Sequence, residues 1–554
     1  MALVRRAGDP LTAKKRSAWV PPDHGSDRGG LQRKVASGLK WTLLDTWGSQ
    51  LLQLAVFFTL AGLLTPVDFG LVALAAVFVA FAQLLVDQGL GDALVQRRAL
   101  TPSQIDTAFW TAVLTGSVLC VAMIALSIPI SIALDEPDLA PILQVLSFVF
   151  VIVAFTSVQS SLARRQMSFR TLAIRRLIAI AGGGAVGIAA ALNGLGAWSL
   201  VAQQLSAGVI SVIALWAVSP WRPSFTFSRA DFRELSSFGA NIVGGDILQF
   251  LSRNTDNFLI GVFLGAGPLG LYALGYKLLE TSQIVLVNSF GKVVYPTFAR
   301  LAHDRERLRR AYTRLTRVVS AFTLPGYIGL ALVAEQATRL LLPERWADSG
   351  SIAAILLLVG PSVTVFGYGG QVLNAVGRPD ITLRLRLITA IVNVLGFLVA
   401  VLIFNNVYAV AIAYVLRSYL LAPLTLFWLR DYAGIPIREN LLRLRGVVPA
   451  TLLMALAVLA VRTWLPVGGV AKLAIEIAVG IMVYAASLLI LDRTLISELF
   501  DFARDMLPGR KRPRKPDDDT TDNVRGDAEL TPEQAAYLEP MRTNPTLADE
   551  VDEI

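Results

Sequence analysis

The chain has 554 residues, is 54% hydrophobic and 16% charged, and carries a net charge of +9 with two histidines and one cysteine. Its mean hydropathy of +0.58 excludes an ordinary soluble globule, in which roughly 25% of residues are charged. The lone Cys120 excludes an intrachain disulfide, and His24 and His303 are too far apart for a histidine metal cluster.

The basic balance is what the cytoplasmic loops of a membrane protein supply, so nucleic acid is not an expected partner. No phosphate loop, nucleophile elbow or zinc motif is present, and neither an enzyme nor a cofactor site is expected.

In chain order, residues 1–36 are polar and basic (Arg5, Arg6, Lys14, Lys15, Arg16, Arg33, Lys34). They lack the early apolar core of a cleavable signal peptide and are expected to be a cytoplasmic tail. Fourteen apolar runs follow: 41–64, 71–95, 107–134, 140–162, 172–192, 196–218, 238–264, 270–298, 316–342, 351–375, 384–404, 407–429, 446–466 and 470–491. Each is about the 20 residues a helix needs to cross roughly 30 Å of hydrocarbon, and none has the short alternation of a β-barrel.

The predicted fold is all-α and polytopic, with about fourteen transmembrane helices. Two six-helix lobes, 37–218 and 237–430, flank a cytoplasmic linker at 219–236, and 431–492 adds two further helices. Residues 493–554 are expected to be a disordered cytoplasmic tail, its "GRKRPRKP" cluster against anionic headgroups and its end dominated by acids such as Asp549 and Glu553.

Loop charge orients the spans. The odd-to-even loops "LTPVD", "DEPDLAP", "NGLGAW" and "LGAGPLG" contain no Lys or Arg, whereas the even-to-odd loops include "ARRQMSFRTLAIRR" and "RLAHDRERLRRAYTRLTR". Arg339, Arg345, Arg462 and Lys472 are the minor exceptions. Both termini are therefore expected on the cytoplasmic side of the bacterial cytoplasmic membrane.

"DFGLVALA" at Asp68–Ala75 recurs as "PLGLYALG" at Pro268–Gly275, with Gly70 and Gly270 offset by 270 − 70 = 200 residues. With six spans in each half, the repeats run parallel and predict a pseudo-two-fold axis along the membrane normal.

Charged residues at membrane depth cost about 2.5–3.5 kcal/mol each on insertion scales and call for a partner or a cavity. In the seventh span Asp246, Gln249, Arg253 and Asn257 share one face, with Asp256 beside them. In the eighth, Lys277, Glu280, Thr281, Asn288 and Lys292 form a polar stripe. Local pairing of Arg253 with Asp256 and of Lys277 with Glu280 is one account, and snorkelling of Lys292 another. A path for an anion along the two lysines is the alternative. In the first half Asp45, Ser49 and Gln53 line the first span, and Gln83 and Asp87 the second; interhelical hydrogen bonding and substrate contact both fit. Gly183-x-x-x-Gly187 predicts close helix packing.

"RNTDNFLIGVFLGAGPLGLYALGYKL", "VVYPTFARLAHDRERLRRAY" and "LAGLLTPVDFGLVALA" resemble the Wzx-type polysaccharide flippases. These belong to the multidrug/oligosaccharidyl-lipid/polysaccharide exporter superfamily, and the resemblance covers roughly residues 37–492. It implies two six-helix lobes around a central, often cationic cavity lined by the first, second, seventh and eighth helices. It also implies transport of an oligosaccharide on a polyprenyl pyrophosphate, with membrane lipids and polysaccharide polymerase or assembly proteins as further partners. Asp256 and Asn257 match the family pattern, whereas Val262 stands where a basic residue is common. The cavity candidates are Arg253, Lys277, Lys292, Asp256, Asn257, Glu280, Asp246, Gln249, Asp45, Gln83 and Asp87.

Three other readings remain: a cation-coupled drug or metabolite antiporter of the same superfamily, a polymerase or ligase, and a scaffold that does not transport. Acidic cavity residues would favour the first. Short outer loops nearly free of Lys and Arg disfavour the second.

Overall fold

The computed structural model describes residues 28–87, 90–97, 100–288, 294, 297–465 and 468–495. Most of the two expected tails lies outside the described residues.

The first half comprises α1 (Arg28–Leu63), α2 (Pro66–Asp87), α3 (Leu90–Gln96), α4 (Pro102–Ala133), α5 (Leu139–Leu146), α6 (Phe148–Arg165), α7 (Phe169–Leu192) and α8 (Trp198–Val218). The second half continues with α9 (Arg229–Leu264), α10 (Ala266–Gln283), α11 (Arg305–Leu341), α12 (Ala347–Leu357), α13 (Gly360–Phe366), α14 (Gly369–Ala375), α15 (Pro379–Leu402) and α16 (Val407–Ala433). After these come the short α17 (Ile437–Leu442) and a hairpin of α18 (Val447–Trp464) and α19 (Gly469–Leu491).

Among the described residues, eleven helical segments are long and apolar enough to cross a membrane. The chain is thus an all-helical multi-pass membrane protein. Helices also stand at the first, seventh and eighth expected positions, as α1, α9 and α10; α9 and α10 are the ones that carry most of the predicted site charges. Large apolar side chains such as Val121, Ile132, Leu416, Leu452 and Ile490 point outward. That is the expected arrangement where the surrounding solvent is lipid.

Local chemistry sets several boundaries that hydropathy alone misplaces. The α4 start is a capping box, with Thr101 Oγ1 accepting from the Gln104 N–H and Gln104 Oε1 from the Thr101 N–H, and Pro102 in the first turn. The α9 helix begins at Arg229, well before the apolar run at 238, because Ser228 caps it by accepting from the Asp231 N–H at 3.2 Å. This shortens the connection between the halves to 219–228.

That connection is pinned to α4. Asp106, 2% exposed, accepts from Thr226 Oγ1 at 2.7 Å and from the Ser224 N–H at 3.2 Å. Trp110 donates to the Ser224 carbonyl at 2.8 Å and stacks on Phe225.

Two expected spans are broken helices. The fourth divides into α5 and α6 at Ser147, whose hydroxyl donates back to the Gln144 carbonyl at 2.6 Å. The tenth is divided into α12, α13 and α14, and Pro361, which has no N–H, stands in the first turn after the first break. The eighth runs as α10 to Gln283 and then as a π-turn at Ile284–Asn288.

The packing predicted at Gly183 is present: a Cβ there would lie 2.6 Å from the Ala207 Cβ of α8. The two halves meet through α2 and α10. A Cβ on Gly70 would fall 1.7 Å from the Ala266 carbonyl oxygen, and one on Gly270 would fall 1.8 Å from the Pro66 carbonyl oxygen.

Candidate functional site

The predicted site residues do not form one cluster. Asp45 turns into the first half, where Ser49 donates to its Oδ1 at 3.3 Å and Arg176 of α7 stands 3.7 Å from Oδ2. At Asp45 the hydrogen bond is thus within α1, and its contact with α7 is an ion pair. Gln83 is half-buried on α2. The side chains of Asp87 and Asp246, and Lys292 altogether, lie outside the described residues.

On α9, Gln249 and Arg253 are exposed one turn apart, and no carboxylate among the described residues stands at ion-pair distance from Arg253. The pairing of Arg253 with Asp256 is not formed. Asp256 points the other way, is 2% exposed, and accepts from the Tyr272 hydroxyl of α10 at 2.7 Å and from the Asn257 N–H at 2.9 Å. A buried carboxylate without such donors would be costly. Asn257 Oδ1 is buried without a partner among the described residues.

On α10, Lys277 Nζ donates to Glu280 Oε2 at 2.8 Å, so the i,i+3 pair is made. Its side chains remain 25% and 46% exposed. Asp256, Glu280 and Arg253 are all close enough to Tyr276 to act on its phenol electrostatically.

Sequence reading missed the other side of this cluster. Arg417, well inside α16, donates to Asn393 Oδ1 of α15 at 2.6 Å and lies 4.5 Å over the Tyr414 ring. Asn393, 1% exposed, donates in turn to the Ser252 carbonyl of α9 at 3.0 Å. Tyr414 meets Tyr276 edge-on, and Tyr276 stacks on Tyr272. Intramembrane charge is therefore not confined to the first two spans of each half. An arginine in the twelfth apolar run was the available signal.

Four hydrogen bonds join the halves near the α1–α2 and α9–α10 turns. Arg345, in the turn before α12, donates to the Leu64 and Gly62 carbonyls at 3.0 and 2.8 Å, and Trp346 donates to the Ala61 carbonyl at 2.7 Å. These are the orphan carbonyls at the C-terminus of α1, where a cation is favourable. From the first half, Glu136 Oε1 accepts from the Ala266 N–H at 3.1 Å, the matching arrangement at the N-terminus of α10. Arg345 had counted only as an exception to the loop-charge pattern; its role is this cap.

The comparisons with known proteins agree with this architecture. The chain is 26% identical over 483 residues to the succinoglycan biosynthesis transport protein ExoT of Rhizobium meliloti (strain 1021), covering 86% of this chain and 97% of that protein. It is 28% identical over 429 residues to the lipopolysaccharide biosynthesis protein WzxC of Escherichia coli (strain K12), covering 73% and 86% respectively. Among solved structures, the lipid II flippase MurJ in an inward closed conformation superposes with a TM-score of 0.65 at 14% identity, over 83% of this chain and all of that one. That likeness concerns the fold alone. Residues 59–351, more than half of the chain, match the family described as polysaccharide biosynthesis protein, so the chain belongs to this family.

Proposed function

We propose that the protein moves polyprenyl-pyrophosphate-linked oligosaccharide units from the inner to the outer leaflet of the bacterial cytoplasmic membrane. It does so by alternating access of two pseudo-two-fold related six-helix lobes, with fourteen spans and both termini cytoplasmic. The observation that carries this reading is that one helix, α10, holds both a contact between the halves at Gly270 and the Lys277–Glu280 pair. Seven residues of helix separate them by about 10 Å, so a ligand at the pair acts on the element that closes the lobes.

In this reading Arg253, Lys277, Glu280 and Gln249 contact the substrate. Glu280 pairs with Lys277 and yields to the pyrophosphate on loading. A lysine suits a ligand that must be released, being a mobile point charge. No covalent step is needed. For a headgroup of charge near −2, an inside-negative potential of 100 mV favours outward movement by about 4.6 kcal/mol.

The test is export of lipid-linked glycan in cells at matched protein level. Lys277→Ala reduces export and Lys277→Arg recovers part of it. Rescue by Lys277→Ala with Glu280→Ala would overturn the substrate role, since removing a mere neutralising pair leaves nothing uncompensated. A second reading, a cation-coupled antiporter, is favoured by the buried carboxylate of Asp256; uptake of cationic dyes with unaffected glycan export would support it instead.

A further inference from the structure

At the junction of α11, α17 and the end of α19, a cavity of about 510 Å³ is lined by Arg317, Arg438, Glu439, Arg443, Arg445 and Asp492. Both acids are engaged by guanidinium groups. Arg317 donates to Asp492 Oδ1, and Glu439 stands 3.2 Å from Arg309 and 3.5 Å from Arg443. Arg438 and Arg445 are exposed and meet no carboxylate among the described residues. The cavity wall therefore holds a surplus of positive charge over its own acids.

Its depth is fixed by the hairpin beside it, because α18 begins at Val447 and α19 ends at Leu491. The cavity opens where the apolar stretches of both helices stop, which is the headgroup level of a bilayer. One helical turn further in, α11, α18 and α19 enclose an apolar groove of about 470 Å³ lined by Ala321, Phe322, Tyr484 and Leu488 among others. Ala321 is four residues after Arg317, and Leu488 four before Asp492, so groove and cavity lie on the same helix faces.

We propose that this cavity and groove hold one anionic glycerophospholipid, its phosphate on Arg438, Arg443 and Arg445 and its acyl chains along α11, α18 and α19. Planar guanidinium groups match a phosphate bidentately, and an apolar floor directly below the cations selects a lipid over a free anion. The lipid ties the α18–α19 hairpin to α11, at a place remote from the α9–α10 cluster.

Thermal unfolding of the full chain in neutral detergent tests this, with phosphatidylglycerol, phosphatidylcholine, polyprenyl phosphate or inorganic phosphate added at equal concentration. Phosphatidylglycerol is expected to raise the melting temperature by several degrees, with little effect from the other three. The Arg438→Ala, Arg445→Ala double variant, which breaks no ion pair seen here, is expected to lose most of that rise. It should also retain several-fold less phosphatidylglycerol in native mass spectra. Equal protection by inorganic phosphate, greater protection by polyprenyl phosphate, or an unchanged response in the double variant would each overturn the proposal.

Discussion

Gly70 and Gly270 stand in reciprocal contact across the two halves: Gly70 lies on the carbonyl of Ala266, and Gly270 on the carbonyl of Pro66. The first-half residue of each pair, shifted by 200, gives the second-half residue of the other, since 66 + 200 = 266 and 70 + 200 = 270. A two-fold relation between the halves would give this self-complementary pattern, in which i meets j′ and i′ meets j. Neither position has room for a Cβ, so Gly70→Ala and Gly270→Ala should each force the halves apart. The cysteine pair Val67→Cys and Gly267→Cys reports on this, because a Gly267 Cβ would sit 3.8 Å from Val67 Cγ2. Oxidation should cross-link the pair readily in the otherwise unaltered protein and several-fold less when Gly70→Ala is added; equal yields would refute the contact.

Arg345 caps the C-terminus of α1 from the opposite half. Arg345→Ala leaves those carbonyls without their donor, at a cost of about 1–3 kcal/mol to the closed arrangement. The same cysteine pair should then cross-link less, while Arg345→Lys keeps part of the yield through its charge at the helix end. A normal yield in Arg345→Ala would mean that the cap does not hold the halves together.

Tyr272 is the side-chain donor to Asp256. Tyr272→Phe leaves one buried carboxylate oxygen without that bond, so stability should fall by about 1–3 kcal/mol. Asp256→Asn, which removes the charge, is expected to be tolerated better than Tyr272→Phe. Thermal unfolding of the two variants in one detergent ranks them, and the reverse order would contradict this account.

Asp492 lies just beyond α19, 8% exposed. Burial pushes its carboxyl up, but hydrogen bonds from Arg317 and Thr494 and the Arg317 charge outweigh this and hold it below the ordinary carboxylate range. A carboxyl depressed on folding adds stability above its unfolded value, about 3.9, and that stability is lost as pH falls through the lower folded value. Melting temperature should therefore drop below about pH 4 in part through Asp492. Asp492→Ala leaves Arg317 buried without its carboxylate and should cost about 3 kcal/mol at neutral pH. An unchanged melting temperature at neutral pH would show that the pair is not a structural tie.

The sequence by itself determined the all-helical, multi-pass class, because apolar runs near 20 residues long report the solvent they face. The family was legible through motifs that span both halves, and so was the 200-residue offset between Gly70 and Gly270. Helix limits were less legible. The starts at Arg229 and Ala266 and the break at Ser147 depend on caps and hydroxyl bonds rather than on hydropathy.

Only the tertiary structure decided what each charge meets. Asp45 and Lys277 look alike as charges in apolar runs, yet one turns to Arg176 and the other pairs along its own helix with Glu280. Asp256 and Arg417 stand 417 − 256 = 161 residues apart in the sequence and near enough in space to act on each other electrostatically. Hydropathy and periodicity are properties of one helix, whereas the partner of a buried charge is set by which helices pack together. That pairing is written in contacts between segments distant in the chain, such as Ser252 with Asn393 and Arg317 with Asp492.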